Sequence, residues 1–270
     1  MKRSEIRELF DQAKNAYNSI LGTDFDDKNL LLEFCTDKTA PRVFEALCTE
    51  HFPHYLKSNP YTDADFFKNT KGMAFVEGNM NGILYITDVY VPKINSEWQG
   101  DALSVLLHEI GHIVCLRAEF SDTKTIPNME EKYTPAIFHN GYGAFGYRVW
   151  RELIADMLGN HIHTKMTGRY REQLNRERLA ELFYEAKYRK FTTEALPRVI
   201  SEMLTIRAVV NSGSWGEACK TLQNQTYGLG FADKIFPLCQ IAYDQMKEND
   251  IFINKEFLCK FEYACSTLVR

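Results

Sequence analysis

The chain has no run of about 18 consecutive apolar residues, the minimum for a membrane-spanning helix. Its seven cysteines (35, 48, 115, 219, 239, 259 and 265) form no Cys-x-x-Cys pair, which excludes zinc knuckles and thioredoxin-type redox motifs. No apolar signal core follows the charged opening "MKRSEIRELFDQAKNAY". There is no basic excess either: a formal net charge of −4 leaves no electrostatic footprint for nucleic acid. Internal repeats and low-complexity tracts are also missing. These absences predict a reduced, cytoplasmic protein that works without a membrane or a nucleic acid, with non-classical export left open. Oligomeric state is not legible.

What is present suits an ordinary globular chain of 270 residues, enough for one large domain or two modest ones. Ile6, Leu9, Phe10, Ala13, Tyr17 and Ile20 fall at helical spacing, predicting a core-facing helix with Gly22 as its C-cap. "NLLLEF" reads as strand or helix, and "APRVFEALCTEHF" as helix after Pro41. His51 and His54 flank Pro53 without a third ligand nearby, so a surface turn is expected there. "GMAFVE" and "ILYITDVYV" read as a β-hairpin around "GNMNG", the second strand stopping at Pro92. Residues 121 to 146 form an aperiodic excursion whose "NGYGAFG" could serve as a lid or as a plain surface loop. "YRVWRELIADMLGNHIHTKM" is a second strong helix, ending near Gly168, and from residue 169 the pattern is helical almost throughout. Residues 165 to 190 carry eight Lys/Arg against four Glu, which reads as a solvated helix face. The expected class is α+β, mostly helical, with domains 1–168 and 169–270.

The chemistry concentrates in "DALSVLLHEIGHIVCLRAEF", residues 101 to 120. A core helix has no use for two imidazoles and a carboxylate, because burying them without partners is costly. His108 and His112 stand four residues apart and project from one side of a helix, so both reach one zinc ion. Glu109, rotated by about 100°, is placed for a water on the ion's open side. This is the His-Glu-x-x-His pattern of two ligands and a general base. Cys115 and Ala118 stand where an extended zinc-binding scheme needs glycine and histidine, so the third ligand lies elsewhere. "WRELIADMLG" supplies it: Glu152 completes a His₂Glu set, leaving one position for water, and Asp156, one turn on, suits the N–H of a ligand histidine. Cys115 is expected simply to pack. A deformylase reading fails because "EGNMNGIL" lacks the upstream cysteine ligand.

On His108-Glu109-Ile110-Gly111-His112 and Glu152-Leu153-Ile154-Ala155-Asp156, the chain resembles the gluzincin, thermolysin-like metallopeptidases over roughly residues 72 to 166. The resemblance implies a zincin-like catalytic part, a small antiparallel sheet with an active-site helix and a ligand helix, followed by an all-α part. It also implies one Zn²⁺ per chain and a peptide or protein substrate. That substrate would lie along an edge strand within Gly82–Val91, at Gly82, Ile83, Leu84 and Tyr85. Glu109 would take the water's proton and return it to the departing amine. Candidates for the oxyanion donor are Tyr142, preferred for its place in the glycine-rich loop, and Tyr147, with His139 and His161 or His163 behind them. Two departures stand out: 40 residues separate His112 from Glu152, and Arg151 replaces the Asn often found before the third ligand. A second similarity is to ImmA/IrrE-like intracellular proteins, which implies a metal-dependent regulatory or binding protein with little general peptidase activity.

Overall fold

The computed structural model describes residues 2–57, 67–68, 70–87, 102–119, 145–168, 200, 220, 232–247, 260–261 and 263–265. Among them the chain is mostly helical with a small mixed sheet, an α+β arrangement. The order is α1 (Arg3–Leu21), β1 (Leu30–Cys35), α2 (Ala40–His51), α3 (Pro53–Lys57), β2 (Gly72–Glu77), β3 (Met80–Ile86), α4 (Ala102–Glu119), α5 (Phe145–Thr167) and α6 (Ala232–Lys247). The chain divides into two compact units, Met1–Asn128 with Leu158–Met166, and Met129–Met157 with Thr167–Arg270.

In the first unit, α1 forms for the reason its spacing predicts: Ile6, Phe10, Ala13 and Tyr17 are buried along one stripe. Leu9 and Ile20 lie at its half-buried margins. Gly22 ends the helix in the left-handed region at φ 71°, its N–H bonding Asn18 O, where a side chain would be strained. "NLLLEF" resolves to a strand, and Pro41 sits in the first turn of α2, where its missing N–H costs nothing.

The hairpin is tighter than its sequence implied. Gly78, at φ 58°, and Asn79 make a two-residue turn, so that Met80, Asn81 and Gly82 belong to β3. Strand order is β1-β3-β2, with β3 antiparallel to β2 and parallel to β1. The sheet is therefore mixed and not antiparallel as expected. The chain leaves β1 through α2 and α3 before returning as the hairpin, the helical detour that lets β1 join β3 in parallel.

Alternation assigns the two faces of the sheet. Leu84, Ile86, Phe75 and Cys35 share a buried cluster with Phe44, Leu47 and Phe52 of the α2–α3 segment. On the opposite face lie α1 and α4. There Tyr17 donates a buried hydrogen bond to Leu107 O at 2.7 Å, tying α1 to the turn of α4 just before His108. At the far end of α4, Arg117 donates to Asn81 Oδ1 (2.8 Å) and Asn79 O (2.9 Å), clamping the helix to the hairpin. Leu103, Leu106, Leu107, Ile110, Ile113 and Leu116 bury α4 almost all round.

In the second unit, Trp150 is fully buried edge-on to Phe261, ring centroids 5.5 Å apart. Ile235, Leu238, Cys239 and Ala242 form the buried stripe of α6, which carries Pro237 within it. The five described cysteines, Cys35, Cys48, Cys115, Cys239 and Cys265, are buried thiols outside any disulfide. No described helix is long and apolar enough to cross a membrane. The excursion at 121–144, Pro92 and most of the region from 169 onward lie outside the described residues.

Candidate metal centre

α4 presents His108 and His112 one turn apart, their rings 4.5 Å between centroids and perpendicular at 89°. His112 is buried and His108 half-buried. α5 contributes Glu152, also half-buried. One ligand atom from each of His108, His112 and Glu152 lies within 4.8 Å of the other two, and these three form the metal-competent group among the described residues. Donors held about 2.0–2.1 Å from a tetrahedral zinc stand about 3.4 Å apart, within the 4.8 Å bound on this group. Two imidazoles and one carboxylate suit a borderline divalent ion, and a fourth position is left for solvent. The donor set fits a metal.

Glycine sets how closely α5 approaches α4. A Cβ at Gly159 would meet His108 N at 3.3 Å, Leu107 C at 3.4 Å and His108 Cα at 3.5 Å, all of them backbone. Glu152 lies seven residues before Gly159, close to two full turns, and therefore on the same face of α5. The stripe that permits the close crossing at His108 is the stripe that carries the third donor.

Glu109 is buried, at 7% exposure, and packs against the first residue of β2, where a Cβ on Gly72 would stand 2.6 Å from its Oε1. The base expected beside the metal thus rests on a strand backbone, next to its two histidine neighbours in sequence.

Asp156 lies one turn beyond Glu152 and is half-buried. Tyr147 is in the first turn of α5, whereas Tyr142 and His139 fall outside the described residues. His163 is half-buried; His161 is exposed, and partial desolvation together with the Lys165 charge holds its imidazole below the usual value. Cys115 is buried, as a packing residue should be. His51 closes α2 half-buried, beside Glu50.

One expectation is overturned. Gly82, Ile83, Leu84 and Tyr85 lie on the central strand, paired to Leu31–Phe34 on one side and to Phe75–Gly72 on the other. With backbone partners on both sides, β3 has no edge to offer a peptide. Joining of β1 in parallel is what covers it, and a hairpin pattern in the sequence gives no sign of that third strand.

Three contributors escaped the sequence reading: Gly72, Gly159 and Tyr17. The two glycines carried a signal, since an isolated glycine at a strand start or inside a helix often marks close backbone approach. Tyr17 carried none beyond its place on an apolar stripe. No family model, no curated protein and no solved structure matches the chain.

Proposed function

We propose that the chain is a zinc-dependent metallopeptidase, with His108, His112 and Glu152 holding one zinc ion and Glu109 acting as general base. The supporting observation is the convergence of three donor atoms, from helices whose donors are 40 residues apart in sequence, within 4.8 Å of one another. Two imidazoles and one carboxylate brought together from two helices are a donor set that a divalent ion of zinc's kind takes.

When bound, the ion supplies Lewis acidity toward a carbonyl and lowers the pKa of a coordinated water toward about 7. With an ion held by His108, His112 and Glu152, Glu109 would serve as general base toward the attacking water and then as proton donor to the departing amine; Glu109 is buried, at 7% exposure, which would keep bulk solvent from competing. Asp156, one turn from Glu152, orients a ligand histidine through the far ring nitrogen. Tyr142 or Tyr147 supplies the oxyanion donor. For the substrate backbone we place β2 where β3 fails. β2 is the outer strand among the described residues, and alternation turns the peptide groups of Gly72 and Ala74 outward, while Val76 N–H donates to Tyr55 Oη. An extended peptide paired there passes beside Glu109.

Two measurements test this. Plasma mass spectrometry should find about one zinc per wild-type chain and little in Glu152→Ala. Glu109→Gln should keep its zinc and lose peptide hydrolysis. Zinc-free wild type after zinc supply, or cleavage retained in Glu109→Gln, sinks the proposal.

A further inference from the structure

Gly72 opens β2, and a glycine there needs a reason, because glycine weakens a strand by its conformational freedom and lack of packing. The backbone gives none: the positive-φ glycines among the described residues are Gly22, Gly78 and Gly168. The reason lies across the sheet face. A Cβ at position 72 would stand 2.6 Å from Oε1, 2.7 Å from Cγ and 2.9 Å from Cδ of Glu109, distances no real Cβ tolerates. The three nearest atoms all belong to the Glu109 side chain and none to backbone. A methyl group at 72 would therefore have to displace the Glu109 side chain, carboxylate included.

We infer that Gly72 is a positioning residue: its bare backbone is the seat that fixes the Glu109 carboxylate beside the strand along which substrate lies. This rests on the metallopeptidase reading for its consequence, though not for the contact itself. Gly72 contributes no side chain to the reaction, and the peptide group it offers the substrate is kept in alanine. It acts by leaving out a methyl where the base must rest. A shift of about 1 Å in a catalytic group can cost on the order of 10²-fold in rate, so the expected effect is large on kcat and small on metal content.

The test has two arms on the full chain. In the first, Gly72→Ala should retain wild-type zinc content and near-wild-type KM while kcat falls on the order of 10²-fold. Added to Glu109→Gln, it should cost nothing more, since the misplaced base is already disabled. Wild-type kcat in Gly72→Ala, or full additivity with Glu109→Gln, overturns the inference. In the second arm, urea denaturation of the metal-free protein isolates the contact from any catalysis. Gly→Ala at a φ that alanine accepts ordinarily stabilises. Gly72→Ala should therefore raise the midpoint in a Glu109→Ala background, where the seat is vacant, and fail to raise it in the wild type. Equal shifts in both backgrounds overturn the contact. If the wild type neither binds zinc nor cleaves peptide, the metallopeptidase reading fails, and the seat is shown only as packing by the second arm.

Discussion

Replacing Gly159 with alanine sets two effects of similar size against each other. Alanine is favoured over glycine in a helix interior by about 0.8–1.0 kcal/mol, so on propensity alone the variant should be more stable. The added methyl, however, lands 3.3 Å from His108 N and 3.4 Å from Leu107 C, inside the ordinary carbon-contact range of about 3.5–4.0 Å. Those atoms belong to α4, which Tyr17 holds at Leu107 and Arg117 holds at the hairpin, so they yield little. Overpacking of this kind costs about 1–3 kcal/mol. The net expectation is a loss on the order of 1 kcal/mol, or about 2–4 °C in Tm for a domain of this size. The sharper consequence falls on the metal. Easing the contact moves α5 from His108 by a few tenths of an ångström, more than the tolerance of about 0.2 Å on a metal–ligand distance, and Glu152 moves with it. Zinc affinity, measured by competition with a chromophoric chelator, should fall about tenfold, the lower end of what disturbed supporting residues cost a metal site. A Gly159→Ala protein with raised Tm and wild-type zinc affinity would show that the crossing has slack and that Gly159 does not set it.

Two further outcomes test the framework around the site. Arg117→Ala leaves the fully buried Asn81 Oδ1 without its 2.8 Å donor, and should cost about 1–3 kcal/mol in chemical denaturation; a loss below about 0.5 kcal/mol would refute the clamp. Burial pushes the Cys35 and Cys48 thiols up to about 12, whereas in the unfolded chain they ionise near ~8.5. Between those values the unfolded state holds fewer protons, so stability is full below about pH 8.5 and falls as pH rises toward 12. Urea midpoints taken across that range should decline in the wild type and decline less in a Cys35→Ala/Cys48→Ala variant; identical slopes would refute the assignment.

Much of this protein is written in local pattern. The stripe Ile6, Phe10, Ala13 and Tyr17 determined α1, and Gly22 its end, because helix periodicity and left-handed caps are properties of neighbouring residues alone. His108, Glu109 and His112 were legible as two candidate donors and a candidate base for the same reason: residues three or four apart on a helix share one side of it. Glu152 was legible as a candidate through the apolar Leu153, Ile154, Ala155, Met157 and Leu158 around it, though sequence could only nominate it. Tertiary structure decided what depends on elements distant along the chain. Burial of the α2–α3 segment against the sheet accompanies β1 lying parallel to β3, which closed the edge that Gly82–Tyr85 seemed to offer. Close approach of backbones decided the rest. Gly159 lets α5 reach His108, and Gly72 gives Glu109 its seat. A missing side chain has meaning only through what comes to occupy its space, and no stretch of sequence around it says what that will be.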